Sequence, residues 1–356
     1  MASLYGRDWN RHEILQRVGS LDQIAGIRLM EAADGLERGC RIFQVWTGSG
    51  LEFTVSADRA LDICACRYKG IPLAWASPVG GVHPAYYEPE GWGWLRSFPG
   101  GLLVTCGLDS FGAPSSDSGE EFGLHGRVSN LPARSVGYRT QWMDDDARQS
   151  GGAQTRYTLE ITGEVRQTRV FGENLLLRRR ITTDLGSNKI RIEDVVTNGG
   201  FAPQPHMVLY HFNLGFPLVS ENSRVHLEAE QTVARDADAE AGLAHWNQLQ
   251  PPTAGYREQV FRHVLVADNE GQVHVEVENP TLGIGLRWTY DKASLPHLYQ
   301  WKMMGESMYV LGIEPGNCNG VEGRAIARQR DDLPHLEPGE SRNYTLEVEV
   351  VEFANH

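Results

Sequence analysis

Between residues 134 and 200 the alternation of apolar and polar side chains with a period of two is clearest, with turns at Gly172-Glu-Asn174 and Gly186-Ser-Asn188. Tyr157, Leu159 and Ile161 fall on one face, then Val165–Phe171, Leu175–Thr183 and Ile190–Thr197 follow as successive runs. Period-two runs joined by short Gly/Asn turns predict consecutive antiparallel hairpins, because those residues supply the turn backbone that hairpins need. Within this meander, Arg178-Arg-Arg180 predicts a solvated strand face with one arginine directed inward.

The same pattern recurs along the chain. Gly26–Ala33, Gly39–Thr47, Leu51–Val55, Ala60–Tyr68 and Leu102–Cys106 read as strands, as do residues 225–230, 260–266, 273–278, 283–290 and 344–352. A short helix is expected within residues 8–24, with Asp8 or Asn10 as its N-cap, and a turn or two of helix near 236–244. Strands without alternating helices argue for a large antiparallel β-sandwich rather than a parallel α/β fold. With no Pro/Ser-rich linker, residues 25–352 read as one domain behind an extension of residues 1–24.

Two stretches depart from the pattern. Residues 75–101 gather Trp75, Tyr86, Tyr87, Trp92, Trp94 and Phe98 among glycines and prolines. They read equally as an aromatic plug over a sheet end and as a loop offering ring faces to a sugar, whose C–H faces pack on aromatics. Residues Ser115–Glu121 are polar and read as mobile. A net charge of −13 disfavours a phosphate backbone as partner. No apolar run is long enough for a membrane span. Five irregularly spaced cysteines suggest no disulfide framework and fit a cytoplasmic setting, with Cys64 and Cys66 sharing a strand face as small hydrophobes.

Three segments concentrate titratable groups among apolar or small neighbours: Leu124-His125-Gly126-Arg127, Tyr210-His211-Phe212-Asn213-Leu214 and Leu311-Gly-Ile-Glu314-Pro315. A partly buried carboxylate and imidazole suit acid–base work, since burial tunes their pKa values. Taken singly, each also reads as a satisfied core residue, and Glu314, ahead of a proline, as lying at a strand end or loop start.

In order, the Leu-His-Gly, the His beside Phe-Asn-Leu and the Glu-Pro resemble the galactose mutarotase-like, or aldose 1-epimerase, superfamily, over roughly residues 25–352. Gly101–Pro132 and Val310–Asn317 resemble most its aldose 1-epimerase-like branch. The resemblance implies an antiparallel supersandwich and a cofactor-free, metal-free isomerase interconverting the anomers of a free or modified monosaccharide. It implies Glu314 as base, His211 as acid and His125 as binder or second acid. Most members of the family place their histidine three residues before the Phe; here it directly precedes Phe212, two positions along on the same strand face.

Arg59, Arg127, Lys302 and Trp301 are further candidates for binding a sugar or an anionic group on it, with Asp109, His206 and Asn213 as additional substrate contacts. The expected partner is a monosaccharide or sugar derivative, with a homodimer as a candidate assembly. Two other readings stay open: a metal-assisted enzyme using His125, His206, His211 and Glu314, and a non-catalytic carbohydrate-binding protein.

Overall fold

The structure is a computed structural model that describes residues 2–144 and 155–353. Its strands form three main sheets of eight, six and five strands, paired antiparallel throughout. The expected meander opens the eight-stranded sheet as Arg134–Asp144, Thr155–Thr168, Asn174–Asp184 and Lys189–Asn198. The sheet continues through Ser341–Glu352, Ile284–Asp291, Gln272–Asn279 and Arg224–Leu227.

The six-stranded sheet carries the candidate site. In chain order its strands are β1 (Leu103–Leu108), β2 (Met207–Gly215), β3 (Ala229–Ala234), β4 (Gln259–Leu265), β5 (His297–Met304) and β6 (Tyr309–Gly316). Their spatial order is β3-β4-β5-β6-β2-β1. Sequence patterning left β5 and most of β6 unassigned, because strands buried on both faces show no apolar/polar alternation. All nine residues of β2 are buried.

Parity along β2 divides its side chains between two cores. Val208, Tyr210, Phe212 and Leu214 join the sandwich core, where Phe212 packs on Trp288 with ring centroids 5.7 Å apart. Met207 and Leu209 point the other way, into a second cluster built with Trp75, Trp94 and Phe98. The aromatic stretch therefore covers the outer face of the six-stranded sheet, and residues between sheet and cover are enclosed on both sides.

One buried ion network ties the sandwich together. Arg179, the inward arginine expected of the Arg178–Arg180 run, is fully buried, with nitrogens 2.9 Å from Asp62 and 2.6 Å from Asp194. It also donates to Thr105 Oγ1, and Tyr210 donates to Asp194. Arg179→Leu would leave two buried carboxylates without their cation. The expected loss is about 3–5 kcal/mol of unfolding free energy in a urea titration.

Several local expectations change. Residues 2–9 form a small hairpin, and Ala2, Leu4 and Ile14 pack in the main core. The short helix Arg11–Leu15 is capped by Asn10, whose side chain and backbone exchange hydrogen bonds with Glu13 in a capping box. Ser115–Glu121 is not a mobile loop but most of a hairpin, Ser115–Asp117 with Glu120–Phe122. Asp117 anchors it to Arg324 Nε at 2.9 Å and to Arg328 at 2.7 and 2.9 Å, and the Arg324 guanidinium lies 4.3 Å over the Phe122 ring. A bulge opposite Thr54 and Val55 separates the paired cysteines, so that only Cys66 joins the core. Among the described residues, no helix is long and apolar enough to cross a membrane.

Candidate active site

Strand register brings the two central residues together. Leu209 pairs with Gly316 and Phe212 with Ile313, which sets His211 directly across from Glu314 on neighbouring strands. Directly opposed residues in antiparallel strands share a face with their Cβ atoms about 5 Å apart. His211 Nε2 lies 3.3 Å from Glu314 Oε1. Both residues are buried, 5% and 2% exposed. Glu314 is thus two residues inside β6, not at a loop start as its proline suggested.

His125 comes from the loop over this sheet. Its backbone is left-handed (φ 58°), as is that of Gly126 (φ 73°). A Cβ on Gly126 would collide with the Ser110 carbonyl and come within 2.5 Å of the Gly107 carbonyl. The glycine therefore admits the protein's own backbone rather than a ligand. The loop holds the His125 ring 5.5 Å from the His211 ring and 4.8 Å from Trp94, centroid to centroid.

The three groups line a cavity of about 300 Å³, whose walls include Trp75, Trp92, Trp94, Phe98, Val260 and Trp301. Phe98 and Trp301 pack on the His211 ring at 5.7 and 5.6 Å. Glu314 Oε1, His211 Nδ1 and His125 Nδ1 are all buried and lack a hydrogen-bond partner; the 3.3 Å approach of His211 to Glu314 is not aligned as a hydrogen bond. Burying such atoms unsatisfied costs about 1–3 kcal/mol each, which makes them exceptional in a folded interior.

Burial sets the charge states. Desolvation, helped by the Glu258 charge and opposed by Arg235, pushes the Glu314 carboxyl up to about 8. Desolvation, then the neighbouring His125, holds the His211 imidazole well below its usual value. Desolvation lowers His125 to about 4. Burial thus favours the neutral form of both partners, a protonated carboxyl beside a neutral imidazole. The ionised-carboxylate and imidazolium state implied by the family resemblance places the same proton on the other partner; a dry site disfavours that separation of charge.

Two residues of the site had no sequence signal. Arg235 and Glu258 line the cavity, and they pair with each other at 3.0 Å. Glu258 also accepts from Trp301 Nε1 at 2.9 Å. Neither lies near the three motifs in sequence; the ends of β3 and β4 bring them in. Gly312 is equally silent in sequence. A side chain there would collide with the Glu314 carboxylate and lie 2.9 Å from Trp301 Cβ. Gly312→Ala should displace that carboxylate and lower turnover about 10²-fold with the fold intact, read as kcat against circular dichroism.

The remaining sequence candidates divide by position. Trp301 lines the cavity. Asn213 is buried outside it and donates to the carbonyls of Gly101 and His211, a backbone brace beneath the site. Lys302 follows Trp301 on β5 and so points to the opposite face, where its Nζ donates to the His245 carbonyl at 3.1 Å; burial lowers its pKa to about 8. His206 has the parity of Val208 and is locked between the Leu108 carbonyl at 2.9 Å and the Tyr344 hydroxyl at 2.8 Å. Arg59 is buried with its Nη1 on the Val82 carbonyl and does not line the cavity. Asp109 and Arg127 line a separate polar cavity of about 220 Å³, with Gly123 and Gly126 of the His125 loop in its wall. Among the described residues, no group of three or more His, Cys, Asp and Glu is arranged to hold a metal ion.

The antiparallel sandwich has the fold of solved structures of putative aldose 1-epimerases and galactose mutarotase-like proteins. The chain belongs to the family described as "Domain of unknown function (DUF4432)", whose model matches residues 37–350. It is similar to a Klebsiella pneumoniae protein described as "a putative aldose 1-epimerase", at 27% identity and TM-score 0.83, covering 94% of this chain and 86% of that one. A galactose mutarotase-like protein from Clostridium acetobutylicum shares the fold at 13% identity and TM-score 0.62, over 93% of this chain and all (100%) of that one. The galactose 1-epimerase of Lactobacillus acidophilus does so at 13% identity and TM-score 0.57, with the same coverages of 93% and 100%. No curated protein matches the sequence.

Proposed function

We propose that the protein is an aldose 1-epimerase-like isomerase that interconverts the anomers of a monosaccharide by proton transfer between Glu314, His211 and the sugar. The observation that carries this reading is the His211–Glu314 pair at 3.3 Å, each member with a buried polar atom lacking a partner, inside an aromatic cavity sized for one sugar ring.

Opening a cyclic hemiacetal requires a proton to leave O1 while another reaches the ring oxygen O5. In the resting state Glu314 carries the proton and His211 has a free lone pair. Glu314 then donates to O5 and His211 accepts from O1. The C1–O5 bond breaks as the C1–O1 carbonyl forms. The open chain turns the other carbonyl face towards the O5 hydroxyl. Ring closure returns the O5 proton to the Glu314 carboxylate, while the His211 imidazolium protonates O1. Protons balance, and the pair ends as it began. His125, neutral at working pH, is suited to hold a sugar hydroxyl. The aromatic walls suit the C–H faces of the ring and keep water from the transferring protons.

Two-dimensional exchange NMR on a panel of aldoses tests this reading, with wild type and Glu314→Gln compared at saturating sugar. Faster anomer exchange by wild type alone supports it. Equal rates for the two proteins would refute the catalytic role of Glu314.

A further inference from the structure

Resting on that reading, we infer that Glu258 is a positioning residue for the proton-transfer pair: its carboxylate clamps the Trp301 indole against His211 and sets a fixed negative charge in the wall near Glu314, with Arg235 opposing that charge. Strand register lays out the connection. Arg235 N donates to the Val260 carbonyl, Val260 pairs with Trp301, and Trp301 pairs with Gly312. One row of positions therefore crosses β3, β4, β5 and β6, and the next strand is β2, which carries His211. From β5 to β2 is two strand spacings, about 9–10 Å. Trp301 nonetheless brings its ring to 5.6 Å from the His211 ring, edge to face at 80°. The path is open because Gly312, between them, has no side chain: a Cβ there would lie 2.9 Å from Trp301 Cβ and would strike the Glu314 carboxylate. The indole is thus a bar laid across β6 from β5 to the acid–base pair.

Glu258 anchors that bar. An indole has a single donor, and Trp301 gives it to Glu258 at 2.9 Å. The other Glu258 oxygen takes Arg235 at 3.0 Å, and Arg235 is itself tied to Asp236 at 2.8 Å. A neutral acceptor would bond the indole as well, so the hydrogen bond alone does not call for a carboxylate. The charge has its own target: Glu258 favours the protonated form of Glu314, and Arg235 acts the other way. The remaining titratable groups around Glu314 are held neutral by burial. They are His211 on β2, His125 from the loop, the Cys106 thiol on β1 and the Tyr299 phenol that pairs with Glu314 from β5. That leaves Glu258 and Arg235 as the charges that bear on the carboxyl.

Substitution separates the two roles. Glu258→Gln keeps an acceptor for the indole and removes the charge, Glu258→Ala removes both, and Arg235→Met removes the opposing cation. Anomer exchange is followed across pH for each, with the infrared midpoint of the Glu314 carboxyl band and circular dichroism. Glu258→Gln should keep kcat within a few-fold below neutral pH, while the alkaline limb and the carboxyl midpoint move to lower pH. Arg235→Met should move both to higher pH. Glu258→Ala should lower kcat by about 10–10²-fold more than Glu258→Gln with the fold intact, because the indole is released. In a Trp301→Phe background, which already lacks the indole donor, the two Glu258 variants should be alike. Equal kcat for Glu258→Ala and Glu258→Gln in the wild-type background, or a carboxyl midpoint unmoved by Glu258→Gln or by Arg235→Met, would overturn the proposal. If no sugar exchanges faster than in buffer, the mutarotase reading fails, and two readouts that need no turnover decide. A shifted carboxyl midpoint, with a Trp301 indole N–H resonance displaced more in Glu258→Ala than in Glu258→Gln, upholds the positioning role, and the lack of either overturns it.

Discussion

Replacing Glu314 by glutamine should lower the anomerisation rate about 10²–10⁴-fold while leaving the protein folded. Glutamine matches the neutral carboxyl in shape but cannot give or take the proton. Its effect on stability has a definite sign. Burial pushes the folded-state carboxyl up to about 8, above the ordinary 4.5. Between those values the folded protein therefore binds more protons than the unfolded chain, and wild type loses stability as pH rises from about 4.5 to about 8. Each pKa unit is worth about 1.4 kcal/mol. The variant escapes this loss. Thermal melts should be similar for the two proteins near pH 4.5 and should favour Glu314→Gln by several degrees or more at pH 9, a pattern opposite to that expected of a salt-bridged glutamate.

The second large effect concerns the pair as a unit. His211→Asn should also cost about 10²–10⁴-fold, because the proton on Glu314 then has no acceptor for its counterpart on O1. The double variant His211→Asn, Glu314→Gln should be hardly slower than either single variant, since both halves of one bifunctional step are already lost. Multiplicative losses in the double variant would mean that the residues act in separate steps. His211 packs among Phe98, Trp301 and His125, so asparagine leaves a void there, and urea denaturation should accompany the kinetics to separate loss of chemistry from loss of fold.

Much of this architecture is legible from local pattern. The meander over 134–200 declares itself by alternation and turn residues, and Arg179 is the inward member that its charged run implies. The motifs around His125, His211 and Glu314 stand out because a titratable group among apolar neighbours is costly to bury. What local pattern cannot carry is pairing between distant segments. That His211 faces Glu314 depends on the register of β2 against β6, which sequence alone leaves open. Arg235 and Glu258 enter through strands two and three places from β6, and Gly312 matters only because a side chain there would strike the carboxylate.

The misplaced candidates have a shared cause. Lys302 and His206 adjoin residues of the cavity face in sequence, but strand parity turns them away from it. Asp109 and Arg127 lie near His125 in the chain. The left-handed turn at His125 and Gly126 sends Arg127 to the other side of the loop, where Asp109 also opens. In Ser115–Glu121, polarity suggested mobility, whereas the aspartate within it is the anchor that Arg324 and Arg328 hold.

The claim on which all of this depends is that one proton resides on Glu314 beside a neutral His211. A rate profile alone counts that proton without locating it, because moving it between the partners leaves the total unchanged. The direct measurement is infrared difference spectroscopy, wild type minus Glu314→Gln, followed across pH together with the anomerisation rate. The expected result is a protonated-carboxyl stretch at neutral pH that disappears with a midpoint of about 8, the rate falling over the same range. A carboxylate signature at neutral pH with no protonated band would contradict it.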